Sequence, residues 1–218
     1  MKVIKNKKLL ALTTFVCLLP IAMYLIVYDR LPEHMVQQWG LDGGANWTMP
    51  RQWAIFVLPL FLAAVHLIVV TVTHYDPKRE KTSAFMQHLI FWLVPAVSIF
   101  ANLTVIFANL GVNFDVGAAA LVFAGLLFII IGNNLPKNRQ NYTVGIRLPW
   151  TLHDADNWNK THRLAGRLLV LSGILLILGA LMPLPAGALA ALLAAAIVLV
   201  AVVPSVYSFT LYRKSKRT

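Results

Sequence analysis

The side chains of this chain best suited to chemistry gather in two stretches, residues 136–167 and 29–51. The first holds His153, Asp154, Asp156 and His162 beside Arg147, Lys160 and Arg163. No pair of these has the His-Glu-x-x-His spacing of a metal site, and the single cysteine, Cys17, has no partner, so no metal is expected. Catalysis needs a nucleophile beside a base, or two acids in one pocket. Ser83, Ser98, Ser172, Ser205 and Ser208 stand in no such motif. No catalytic residue, cofactor or enzymatic activity is therefore expected. Recognition fits better. Arg147, between Ile146 and Leu148, is suited to a lipid phosphate or to a carboxylate such as Asp154 or Asp156. Trp150 is expected to pack Arg147 against a helix starting near Thr151, and His162 to pair with an acid or cap a carbonyl.

What positions these residues is a membrane scaffold. The chain has 218 residues, of which 59% are hydrophobic and only 12% charged, against about 25% charged in a soluble domain. Mean hydropathy is +0.71. Disorder and an ordinary soluble enzyme are thereby excluded; a nucleic-acid binder fits the charge of +11 but not the hydrophobicity. Windows free of Lys, Arg, Asp and Glu run over Leu9–Tyr28, Gln52–Tyr75, Gln87–Leu110, Val116–Leu135, Leu168–Leu184 and Ala188–Tyr212. Each is near the roughly 20 residues that cross a hydrocarbon core as a helix, and far too long for a barrel strand. The fold class is all-α, with six transmembrane helices.

Charge placement sets the orientation. Seventeen of the 19 basic residues fall before the first window, between the second and third, between the fourth and fifth, or after the sixth; only Arg30 and Arg51 lie on the other side. Both termini are thus expected in the cytoplasm. The first apolar run is longer than a signal h-region and is followed by no A-x-A-like site, so it reads as an uncleaved helix. The organisation reads as a cytoplasmic N-terminus (1–8), two helices with an extracytoplasmic loop (9–75, loop 29–51), two further helices (76–135), and a last region (136–218). That region comprises a cytoplasmic loop (136–167), two helices and a basic tail.

Pro20, Pro59, Pro95 and Pro204 lie inside spans. Ala118, Gly125 and Gly132 recur at seven-residue intervals, as do Gly166, Gly173 and Ala180, a pattern that lets helices approach closely. Residues 182–187 read as a tight turn making the last two helices a hairpin. In the long loop, Asn141 and Gly145 tolerate left-handed backbone, Leu148 is held extended by Pro149, and Thr151 with Asp154 resembles a capping box. Asp156 and Lys160 form an i,i+4 pair; Trp158, Thr161, His162 and Ala165 share one helical face, with Asn159, Arg163 and Arg167 on the next. Trp53, Trp150 and Trp158 are candidate headgroup anchors. His66 is the only ionisable residue well inside a span, which leaves small-molecule or proton-coupled transport as an alternative function. Asn102 and Asn109 are read as inter-helix hydrogen-bonding groups.

Asn141, Gly145-Ile-Arg147, Pro149-Trp-Thr151, Trp158, Thr161-His-Arg163 and Gly166, ahead of a hydrophobic hairpin, resemble the signature of the SdpI family. These are bacterial membrane proteins conferring immunity to a secreted toxic peptide. Leu31-Pro-Glu-His-Met-Val-Gln-Gln-Trp-Gly40 with Asp42-Gly43 is similar, more loosely, to a small domain of unknown function that often precedes the SdpI region. The resemblance implies a multi-pass protein of the bacterial cytoplasmic membrane with two kinds of partner besides the bilayer. A peptide toxin would meet the outer loop, including Pro32, His34, Trp39, Gly40 and Asp42, and the membrane helices. A small transcriptional repressor would be captured at the cytoplasmic loop by Asn141, Gly145, Arg147, Pro149, Trp150, Thr151, Trp158, Thr161, His162 and Arg163. No direct nucleic-acid contact is implied.

Overall fold

The computed structural model describes residues 6–40 and 44–216; Lys2, Lys5 and Arg217 of the basic set, and Asp42 and Gly43 of the outer loop, lie outside the described residues. Six helices are long and apolar enough to cross a membrane: α1 (Lys7–Ile26), α2 (Arg51–His74), α3 (Ala84–Asn109), α4 (Val116–Asn134), α6 (Ala155–Ala180) and α7 (Ala186–Ser215). A short helix, α5 (Pro149–His153), precedes α6. The chain is a mostly helical, multi-pass membrane protein, its spans all α-helical as expected. Residues 181–185 lie between α6 and α7 and form the turn of the expected hairpin, while Ala186 and Gly187 of the expected turn already open α7.

The largest departures from the sequence reading are the start of α6 and the structure of the 29–51 loop. α6 begins well before the apolar stretch that opens at Leu168, because Asp154 caps it by accepting from the backbone N–H of Asp156 and Asn157. The Asp156–Lys160 ion pair, at 2.7 Å, supports the same polar first turns. In the 29–51 loop a two-stranded antiparallel hairpin forms, β1 (His34–Trp39) against β2 (Ala45–Pro50), with bulges around Gln38.

The described residues divide into two compact units, one containing the chain up to His74 with Gln87–Val116, the other Tyr75–Met86 with the chain from Gly117 onward. In the first, buried polar side chains link helices. Tyr24 donates to Asn102 (3.1 Å), Asn102 to the Ser98 carbonyl, and Ser98 to the Cys17 carbonyl. Thr13 meets His66 Nε2 at 2.9 Å. The hairpin rests on this unit through Met35 and Leu31, both buried with Tyr24 and Ile106, and through Asn109. The Asn109 side chain accepts from Val36 N–H (2.7 Å) and donates to Val36 O (2.8 Å), closing both backbone groups of one strand residue. Asn102 thus joins two helices as expected, whereas Asn109 serves the strand.

In the second unit, α4 and α6 touch backbone to backbone. A Cβ on Gly125 would lie 2.7 Å from the Gly173 carbonyl, and one on Gly166 would lie 2.6 Å from the Gly132 carbonyl. The two glycine series therefore face each other in antiparallel order. Leu121, Leu176, Leu189 and Ala196 fill the space among α4, α6 and α7.

Candidate functional site

The segment between α4 and α6 has little regular structure, yet nearly every polar group in it is committed. It starts with Asn138, whose side chain accepts from Ser83 N–H (2.9 Å) and whose carbonyl accepts from Trp158 Nε1–H (2.9 Å). Asn141, fully buried, folds the next turn: its Oδ1 accepts from Thr143 N–H (3.1 Å) and Val144 N–H (2.7 Å), and its Nδ2 donates to Arg139 O. This is an Asx turn, so the side chain rather than left-handed backbone makes the bend. Gly145 does take the left-handed side, at φ +114°. There a Cβ would stand 2.2 Å from His162 Nε2.

His162 explains that closeness. Its Nε2 accepts from Ile146 N–H (3.1 Å), so the proton sits on Nδ1, which donates to the Trp158 carbonyl (2.8 Å). The ring stacks on Trp158 at 3.9 Å between centroids, and both side chains are fully buried. His162 thus caps a carbonyl, one of the two expected roles, and also holds the loop backbone.

Thr151 closes the next turn. Leu148 is extended (φ −94°, ψ 152°) ahead of Pro149, as expected, and α5 starts at that proline. The Thr151 hydroxyl accepts from Leu148 N–H (2.9 Å) and donates toward Ile146 O (2.8 Å). The expected box of Thr151 with Asp154 does not form. Thr151 is the third residue of α5, and Asp154 caps the separate helix α6.

Trp150 and Arg147 do not pack together as expected. The Trp150 indole donates to Ser208 Oγ (2.8 Å) and lies against Phe209 and Tyr212 of α7. Ser208 donates to Asn157 Oδ1 (2.7 Å), Asn157 Nδ2 to the Ser208 carbonyl (2.9 Å), and Thr161 to Asn157 Oδ1 (3.0 Å). This buried set ties α5, α6 and α7 together. Arg147 is exposed and donates to the Tyr142 carbonyl (2.7 Å); the acids proposed for it are used elsewhere, Asp156 on Lys160 and Asp154 at the α6 cap.

Residues 137–208 match the SdpI/YfhL protein family, and residues 15–63 match a domain of unknown function, DUF1648. The chain carries an SdpI-family region. Immunity protein SdpI of Bacillus subtilis (strain 168) is 25% identical to it over 152 residues, spanning 70% of this chain and 72% of that relative. No solved structure matches.

The SdpI region holds every signature residue of the long loop, and the structure sorts them into two kinds. Asn141, Thr151, Trp158, Thr161 and His162 are buried and build the loop; Gly145, Pro149, Arg147 and Arg163 are at the surface, with Trp150 between. Trp158, with no exposed surface, is a core residue and not a headgroup anchor, whereas Trp53 is 60% exposed at the start of α2. Arg163 borders a cleft between α4 and α6, apart from the His162 face of the helix.

One residue that holds the site was missed. Asp76, buried in the short segment after α2, accepts from Tyr142 N–H (3.0 Å) and Thr143 Oγ1 (2.7 Å) through one oxygen and from Lys78 N–H (2.8 Å) through the other. Lys78 lies over the Tyr142 ring at 4.3 Å. An acid in a basic loop, with Glu80 four residues on, carries no local signal of a contact that far along the chain.

Of the candidates in the 29–51 loop, Asp42 lies outside the described residues, Pro32 precedes the hairpin of the first unit, and His34, Trp39 and Gly40 lie on it. Pro32 and His34 are exposed, Trp39 is half-buried against the hairpin core, and Gly40 N–H donates to Gly44 O. Arg51 donates to the Tyr28 and Leu31 carbonyls and lies over the Tyr28 ring, anchoring the hairpin's base. Among the described residues no three His, Cys, Asp or Glu side chains converge as metal ligands would.

Proposed function

We propose that this chain is an SdpI-type immunity protein of the bacterial cytoplasmic membrane, protecting its cell against a membrane-active peptide toxin. The observation that carries the reading is the similarity to Immunity protein SdpI over 70% of the chain, with the family match spanning the folded loop and the last two helices. It acts by binding, not catalysis. The toxin meets the outer hairpin and the membrane helices. On the cytoplasmic side, the 136–167 loop captures a small transcriptional repressor when toxin is present. The loop's internal hydrogen bonds support this second role, because a surface held from beneath by Asp76, Asn141 and His162 presents Arg147 and Trp150 in a fixed arrangement at low entropic cost.

Expression in a toxin-sensitive strain is expected to raise survival, and unchanged killing removes the immunity reading for that toxin. Arg147→Ala is expected to abolish recruitment of the repressor to the membrane while the protein stays inserted. Persistent recruitment moves the docking site elsewhere. A second reading, proton-coupled transport, is favoured by His66: it is fully buried in α2, and its Nδ1 has no partner among the described residues. It requires a substrate flux that His66→Leu abolishes.

A further inference from the structure

Arg163 and Arg167 stand one turn apart on α6, both exposed, and neither makes an ion pair with a carboxylate among the described residues, the nearby Asp156 being held by Lys160. Two like charges at this spacing repel each other and weaken a helix unless an anion joins them. Both line an open cleft of about 390 Å³ between α4 and α6, with Asn133 of α4 beside them. The same cleft runs on to Val170, Leu171 and Ile174, and Leu171 and Ile174 are 50% and 43% exposed in a helix built to cross a membrane. It is therefore cationic at one end and apolar along the other.

We propose that this cleft binds one anionic phospholipid, its phosphodiester between Arg163 and Arg167 and an acyl chain along Val170, Leu171 and Ile174. The chemistry selects that occupant. Guanidinium groups bind phosphate oxygens bidentately, which a lysine pair would not do. A soluble anion would use the cationic end but leave the apolar end without a purpose, and an acidic peptide would find no carboxylate-matching donors past Arg167. Basic pockets between transmembrane helices at the cytoplasmic leaflet are a recurring headgroup site. The site shares Arg163 with the loop proposed to capture the repressor but does not involve Arg147, and its test reads lipid retention alone, so it stands or falls separately from the immunity reading.

The test uses the full chain in detergent, titrated with phosphatidylglycerol or phosphatidylcholine of the same acyl chains, with bound lipid counted by native mass spectrometry. Phosphatidylglycerol is expected to be retained about tenfold better, as a charge-assisted contact of this kind supplies. Arg163→Gln with Arg167→Gln is expected to erase that preference, and Ile174→Trp, which fills the apolar end, to lower phosphatidylglycerol retention. Arg213→Gln with Lys214→Gln removes equal charge from the end of α7 and is expected to keep the preference. Equal retention of the two lipids by the unaltered chain overturns the proposal. So does an equal loss in the α7 double variant, which shows unspecific attraction, or displacement by glycerol phosphate at matched concentration, which shows a soluble-anion site.

Discussion

Gly145 and His162 determine each other's position. The glycine's φ of +114° is strained for any L side chain, and its missing Cβ is the space that His162 Nε2 needs to reach Ile146 N–H. The imidazole cannot retreat, being stacked on Trp158 and bonded at both nitrogens. Gly145→Ala is therefore expected to cost about 2–4 kcal/mol, combining backbone strain with displacement of a buried ring. Thermal unfolding in detergent measures it, with Gly187→Ala as the reference: a Cβ there meets nothing within 4 Å, and no loss is expected. If both variants melt alike, the ring does not need the glycine's space. Asp76 works from a distance by collecting three donors on a buried carboxylate. Asp76→Asn sets an NH2 against at least one donor, so a cost of about 1–3 kcal/mol is expected. Hydrogen exchange should rise at the Tyr142 and Lys78 amides and stay unchanged in α7; uniform exchange throughout counts against a local role. The glycine and the Leu148–Pro149 extension were legible in the sequence because each obeys a local steric rule. Asp76 was not, since its partners lie 66 and 67 residues away.

The contact of α4 with α6 shows what sequence patterns resolve at the scale of elements. Ala118, Gly125 and Gly132 rise along one helix as Gly166, Gly173 and Ala180 descend along the other, and the glycine members pair carbonyl against Cα. In lipid, where burial of apolar surface drives little, such close packing is what holds helices together. A methyl on Gly125 meets the Gly173 backbone, and a methyl on Gly173 would fall 2.5 Å from the Gly125 carbonyl, so neither neighbour can swing aside. Either alanine variant is expected to cost about 1–3 kcal/mol. The double variant should cost less than the sum, because the first methyl has already parted the helices. Additive losses in unfolding experiments would place the two glycines in separate contacts. The hairpin of residues 34–50 was not legible. Its alternation is broken by bulges near Gln38, and its strongest support, the Asn109 amide on Val36, comes from the far end of α3. Helix starts were likewise hidden where polar residues continue a helix beyond the apolar window, as in α6, where the cap decides the boundary and hydropathy does not.

Across the whole molecule, polarity is distributed inversely to that of a soluble protein. Phe61, Ile68 and Val198 are 61%, 62% and 58% exposed, while Thr13, His66, Ser98, Asn102, Asn157, Thr161 and Ser208 are buried. The arrangement is stable only with hydrocarbon outside, and most of the buried polar groups then find a partner on a neighbouring helix or their own turn, His66 Nδ1 and Ser172 Oγ being exceptions among the described residues. Composition foretold this inversion, and the number of spans with it, because insertion depends on summed hydropathy and not on tertiary detail. Orientation follows from a different property, the Lys and Arg bias of the loops, and the docking surface around Arg147 has meaning for a cytoplasmic repressor only if that bias acts as proposed. The single native cysteine, Cys17, has no exposed surface and leaves a silent background for labelling. Gln38 on the hairpin and Asn159 on α6 are both exposed. In intact cells a membrane-impermeant maleimide is expected to label Gln38→Cys and to reach Asn159→Cys only after the cells are opened. The reverse pattern would put Arg147 outside the cell and the hairpin within, and the repressor role would then fall along with the assignment of the hairpin to the toxin.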